Sequence, residues 1–195
     1  MILYFDTETT GLHPGQVCQL TYIMQDGKSV SAKNFYFTVD SMDFSAFMVH
    51  GLSMELLETL SNGKCFGDYI NEIERDFLSA DVIISHNTSF DFMFMRKEFE
   101  RQGKTFICQN EFCTMKKSTP ICKLARKTGV GYKYPKLSEL CAFLSITDQD
   151  IFNTGKQLFG ALSGAHDARF DTVAVYLAVN KGLNLSTFEP LKEYL

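Results

Sequence analysis

The run ILYF at residues 2–5 is short, continuous and soon followed by Thr and Gly, the pattern of a buried strand. A second such run, VIISH, falls at residues 82–86. Between them, CQLTYIMQ (18–25) and NFYFTV (34–39) read as strands joined by a turn at DGKS, so the first three strands form an antiparallel meander. Helical spacing marks LSMELLETL (52–60), FGDYINEIERDFLSA (66–80) and, after the second buried run, SFDFMFMRKEFERQG (89–103). TFICQN (105–110) reads as a fifth strand, and further helices fall around 113–127, 137–145 and 167–181. Strands first, then strand–helix alternation, predict an α/β chain with a mixed five-stranded sheet and helices on its faces.

The first buried run ends in two acids, Asp6 and Glu8, with one residue between them. Side chains alternate along a strand, so the two carboxylates point the same way. Like charges side by side repel, and neither gains from leaving water. A bound cation would reverse that sign.

Length and composition limit what such a site can belong to. A chain of 195 residues fits one domain, 1–195, with a sizeable core. A hydrophobic fraction of 45% with 18 Phe excludes a disordered chain. No apolar stretch has the length of a membrane span and no signal peptide precedes Met1–Phe5, so a cytoplasmic protein without membrane contact is expected. The six cysteines are scattered, with no CxxC pair, which argues against zinc and against a disulfide framework. They read as reduced and mostly buried.

Two later segments carry further acids. HNTSFD places Asp91 near the start of a helix, where a lone Asp most simply favours the helix N-terminus. GAHDARFD offers His166, Asp167 and Asp171. Were all of it helical, His166 and Asp171 would stand about 140° apart around the axis. They converge only if Gly164 and His166 lie in the loop entering the helix. An Asp-x-Glu at a strand end, an Asp after a second strand and a His five residues before an Asp together suit a two-metal phosphodiesterase. Hard Mg²⁺ or Mn²⁺ takes several oxygen ligands, and a free imidazole removes a proton from water.

These three segments, DTETTG, HNTSFD and HDARFD, resemble the motifs of the DnaQ-like, DEDDh-type 3′→5′ exonuclease family, in the family's order and over nearly the whole chain. The resemblance implies a ribonuclease H-like fold and two Mg²⁺ or Mn²⁺ ions. Asp6, Glu8 and Asp171 then match the ligands of the nucleophile-side ion, Asp6 bridges to the second ion, Asp91 supports that ion through water, and His166 matches the general base. The product the resemblance implies is a nucleoside 5′-monophosphate. Thr9, Gly11 and Leu12 match the positions that hold the terminal nucleotide, and His50 of HGLS matches an element near the terminal base. Asn87 and Phe90 are expected to line the same cleft, with ordinary packing the alternative for Leu12 and an equal one for Phe90. Where many relatives carry an acidic residue, this chain has Gln19.

Charge is unevenly distributed. From Phe112 to Ser138 there is no Asp or Glu, yet seven of the 19 basic residues fall there, leaving 12 basic against 23 acidic residues elsewhere. Tyr132 and Tyr134 lie among them, a composition that suits a nucleic-acid backbone, or else a solvated face. The substrates expected are single-stranded DNA, RNA or short oligonucleotides engaged at the 3′ end. A non-catalytic nucleic-acid-binding or polymerase-accessory module and a metal-dependent phosphatase are the alternatives. With no long extension after Leu195, a standalone or repair-type exonuclease is expected over a replicative subunit, with a polymerase or a second copy of the chain as protein partner.

Overall fold

The computed structural model describes residues 1–195 apart from Ala161, Ser163 and Ala165. Strand β1 (Ile2–Thr9) pairs antiparallel with β2 (Val17–Asp26) on one edge and parallel with β4 (Val82–Ser85) on the other. Beyond β2 lies β3 (Ser29–Tyr36), antiparallel, and beyond β4 lies β5 (Glu111–Cys113), parallel. The order is β3-β2-β1-β4-β5, so β1 is central. The tight turn at Gly27, with φ of 55°, closes the β2–β3 hairpin, a conformation glycine adopts without a Cβ penalty.

Eight α-helices surround the sheet among the described residues: α1 (Phe44–His50), α2 (Met54–Ser61), α3 (Phe66–Leu78), α4 (Thr88–Arg101), α5 (Thr114–Cys122), α6 (Leu137–Phe143), α7 (Asp148–Phe159) and α8 (Ala168–Gly182). A 3₁₀ turn covers Glu189–Tyr194. Among the described residues, no helix is long and apolar enough to cross a membrane.

Alternation along β1 separates two cores. Ile2 and Tyr4 pack with Phe170, Val173 and Ala174 of α8, whereas Leu3 and Phe5 pack with Ile73 and Phe77 of α3 and Phe92 and Phe99 of α4. The Phe5 ring meets Phe77 edge-on at 5.4 Å and stacks near Phe92 at 5.9 Å. Full burial of one such side chain contributes roughly 1.5–3 kcal/mol. Several of them beneath the end of β1 offset the cost of the charges that follow.

Several boundaries differ from those expected. The third strand is Ser29–Tyr36, not 34–39, because pairing begins directly after the turn and Phe37 leaves the sheet to enter the α3 layer. The fifth strand is Glu111–Cys113, not 105–110; Phe106 instead plugs the aromatic layer against Phe77, Phe92 and Phe99. The helix expected over 113–127 stops at Cys122, where Lys123 turns left-handed at φ 49°. Helices α1 and α7 were not expected. In α7 an interior glycine obscures the pattern; at Gly155 a Cβ would stand 2.0 Å from the Leu162 side chain, which packs into the space glycine leaves. Of the six free cysteines, Cys18, Cys113 and Cys141 are buried and Cys65 is exposed.

Candidate active site

Asp6 and Glu8 continue the face that Ile2 and Tyr4 turn toward α8, and Asp171 stands in the first turn of that helix. One carboxylate oxygen from each of the three lies within 4.8 Å of the others. Glu8 is buried, and Asp6 and Asp171 are half-buried. Among the described residues, no lysine or arginine comes within ion-pair distance of these three or of Asp91.

Thr7 faces the opposite layer. Its hydroxyl donates to Asp91 Oδ1 at 2.8 Å, and Ser85 Oγ at the end of β4 donates to Asp91 Oδ2 at 3.0 Å. Asp91 is therefore fixed where β1, β4 and α4 meet, outside the trio and with both oxygens engaged. Neither hydroxyl was marked by the sequence, since their common partner lies on another element.

The electrostatics follow from burial without countercharge. Burial, then the charges of Asp91, Asp171 and Glu8, pushes Asp6 well above the usual carboxylate range. Burial, then the charges of Asp171, Asp167 and Asp91, raises Glu8 to about 8. For Asp91, burial outweighs the Thr7 and Ser85 hydrogen bonds and holds it at about 7. Burial raises Asp171 to about 6 against the opposing influence of His166. An all-oxygen donor set with excess negative charge fits a hard divalent cation, and poorly fits a soft one.

His166 lies outside α8, as convergence with Asp171 requires. It is exposed, its φ is 62°, and its backbone hydrogen-bonds Asp171. Asp167 caps the helix by accepting from the Arg169 amide at 3.0 Å and pairs with the Arg169 guanidinium at 2.6 Å. Gln19 completes this junction from β2. Its Nε2 donates to Asp167 Oδ1 at 3.0 Å, and its Oε1 accepts from the Ala168 amide at 3.3 Å. A polar residue inside the buried strand CQLTYI was the available signal for Gln19.

A cavity of about 280 Å³ opens beside Glu8, lined by Thr9, Gly11, Leu12, His50 and Phe90, with Ser45, Ala46 and Val49 of α1 as its outer wall. Leu12 is 76% exposed despite being apolar, while Phe90 rests on Phe94 with ring centroids 5.0 Å apart. Gly11 lies close under Asp43, whose carboxylate would stand 2.2 Å from a Cβ there and would have to move for any larger residue. The Leu52 amide donates to His50 Nδ1 at 3.0 Å, so the proton sits on Nε2 and is donated to the Thr9 carbonyl at 3.2 Å. Burial lowers the pKa of His50, consistent with a neutral ring. Asn87 does not line this cavity. The turn from β4 into α4 needs a left-handed residue there, and Asn87 supplies it at φ 79°, which Asn tolerates better than most.

An exonuclease family model, RNase T, matches residues 3–154. The chain belongs to this exonuclease family. A DNA polymerase III subunit epsilon of Rickettsia typhi is 30% identical over 193 residues, covering 96% of this chain and 76% of that one. The Escherichia coli K12 protein of the same name is 29% identical over 196 residues, covering 95% and 74%. The zinc-bound crystal structure of the E. coli ExoI–ssDNA complex superposes with a TM-score of 0.68 at 20% identity. It covers 98% of this chain, but this chain spans only 42% of that one, and the likeness shows the fold. The protein is thus a DnaQ-like 3′→5′ exonuclease with a ribonuclease H-like fold, of a divalent-metal-dependent family, and it carries a matching acidic cluster.

Proposed function

We propose that the protein removes nucleoside 5′-monophosphates one at a time from the 3′ end of single-stranded DNA, RNA or short oligonucleotides. The observation that carries this is the convergence of Asp6, Glu8 and Asp171 without countercharge beside a cavity of about 280 Å³. Asp6, Glu8 and Asp171 would hold one Mg²⁺ or Mn²⁺ ion, and Asp6 would share a second that Asp91 supports through water. Four carboxylates match two divalent charges, and the engaged oxygens of Asp91 suit an indirect role. Such ions supply Lewis acidity toward the scissile phosphate and lower the pKa of water.

The chain's own groups do the rest. His166, exposed at the entrance to α8, takes the proton of the attacking water and passes it to solvent. Leu12 and Phe90 pack against the terminal nucleotide, and Thr9 and Gly11 offer backbone groups to it. His50 holds the wall of the cavity through the Thr9 carbonyl. Asn87 shapes the turn that presents Asp91.

Matched 5′-labelled DNA and RNA strands, incubated with Mg²⁺ or Mn²⁺, test the reaction. A ladder shortening from the 3′ end by single nucleotides, absent in EDTA, is expected. Internal cleavage, 5′ shortening or full activity in EDTA would sink the proposal. The epsilon relatives are named as polymerase subunits, so a polymerase is the protein partner this function would serve.

A further inference from the structure

The basic residues between Phe112 and Ser138 fall on α5 and its C-cap, on the segment 124–135 that follows, and at the start of α6. Lys116 and Lys117 ride on α5, and residues 124–135 then fold back as a hairpin. Ala125 and Tyr132 form an antiparallel bridge, and the Lys133 amide donates to the Leu124 carbonyl at 2.9 Å. Arg126 Nε donates to the Tyr132 carbonyl at 3.0 Å. The tip from Lys127 to Gly131 is exposed throughout, Val130 to 96%, and Tyr132 and Tyr134 are 44% and 58% exposed. Among the described residues, Lys133 is the only one of the seven cations paired with an acid, Glu139.

The hairpin is tied to the active-site end of the sheet. His86 directly follows β4, and its Nε2 donates to the Pro135 carbonyl at 3.0 Å. Its Nδ1 lies 2.9 Å from the Thr114 hydroxyl at the start of α5. Lys116 Nζ donates to Ser89 Oγ at 3.1 Å, in the helical turn that carries Asp91.

We propose that Lys123 and the hairpin 124–135 that follows it form an arm that grips single-stranded nucleic acid on the 5′ side of the terminal nucleotide. Its cations meet phosphates, and Tyr132 and Tyr134 stack on bases. Unpaired cations alone would suit any polyanion, but exposed tyrosines interleaved with them select strands whose bases are free to stack. The 5′ side rests on the exonuclease function proposed above, which puts the 3′ end in the cavity.

Binding and hydrolysis separate the two proposals. Anisotropy of a 5′-labelled 20-nucleotide strand, measured in EDTA between 50 and 200 mM salt, reads the arm without catalysis. The double substitution Lys123→Ala/Lys127→Ala should flatten the slope of log K against log salt by about 1.4, at about 0.7 per lost contact. Lys123→Arg/Lys127→Arg should restore it. Tyr132→Ala/Tyr134→Ala should weaken binding at least about fivefold with the slope unchanged. An unchanged slope in the lysine variant overturns the arm, and so does an equal loss from Lys28→Ala in the distant β2–β3 turn. Failure of the hydrolysis ladder with these binding results intact would instead count against the catalytic proposal alone.

Discussion

Two groups of acids in this molecule leave water and meet opposite electrostatic fates. On the α3 side, Asp76 is 8% exposed at its side chain, and Lys33 reaches it at 2.5 Å, Tyr22 at 2.8 Å and Arg75 at 3.2 Å. Burial alone would raise its pKa, but these partners overcome it and hold it below the usual range. At the end of β1, Asp6, Glu8, Asp91 and Asp171 have no such cations, and all four are raised. Asp167 and Asp171 show the same contrast four residues apart. Arg169 outweighs burial and lowers the first, while nothing comparable faces the second. Paired acids hold the fold, whereas the unpaired ones await a charge that the chain itself does not supply.

The largest effect should come from removing one unpaired acid. Asp171→Ala or Asp6→Ala should abolish hydrolysis and weaken Mn²⁺ binding in calorimetric titration. The metal-free protein should melt no lower than wild type, because a repelling charge is gone. Substantial Mg²⁺-dependent turnover in either folded variant would dissolve the distinction between the two acid groups.

His166→Ala comes next, with a loss of about 10²–10⁴-fold in single-turnover rate expected of an acid–base group. Mn²⁺ affinity should survive, since every carboxylate remains. Affinity falling in step with rate would make His166 a ligand or a shaping residue, and an unchanged rate would remove it from the chemistry.

The unpaired acids were the legible part of the site, because an Asp-x-Glu on a strand declares its own geometry. The loop position of His166 also followed from helical spacing. What stayed hidden was tertiary. Helix α1 buries none of its residues, so no core-facing period marks it, yet it walls the cavity. Strand β5 is three residues long at a sheet edge, while the more apolar TFICQN before it serves the aromatic layer. Gln19, Thr7 and Ser85 are small or neutral residues whose roles exist only through partners 149, 84 and 6 residues away.

Asp76→Ala should behave in the reverse manner to Asp171→Ala. Activity should persist, but stability should fall by about 1–3 kcal/mol, below the full cost of breaking a buried pair because Lys33 can turn to Glu72 and to water. Urea unfolding measures this, and a neutral result would show that the pairing contributes little. Saturating Mn²⁺ should stabilise wild type by about 2.7 kcal/mol at 100 times its dissociation constant, whereas Asp171→Ala should gain less.

A pH dependence separates the two acid groups by sign. Asp76 and Asp167 have lowered pKa values in the folded state. The unfolded chain therefore binds more protons than the native state around and below pH 4, and the stability these two provide is lost as pH falls there. Asp171 at about 6, Asp91 at about 7 and Glu8 at about 8 act in the opposite sense. Between about pH 4 and 8 the metal-free native state holds protons that the unfolded chain has released, so stability declines as pH rises, by at most about 1.4 kcal/mol per pH unit for each proton retained. Divalent metal favours the ionised carboxylates, so with Mn²⁺ present the decline should flatten or reverse, and binding at pH 6 should release protons measurable in buffers of different ionisation enthalpy. Urea unfolding at pH 5 and pH 8, in EDTA and in Mn²⁺, gives the four values needed. Metal-free stability that rises from pH 5 to pH 8 would mean that the acids at the end of β1 are neutralised within the chain after all, and the contrast with Asp76 would collapse.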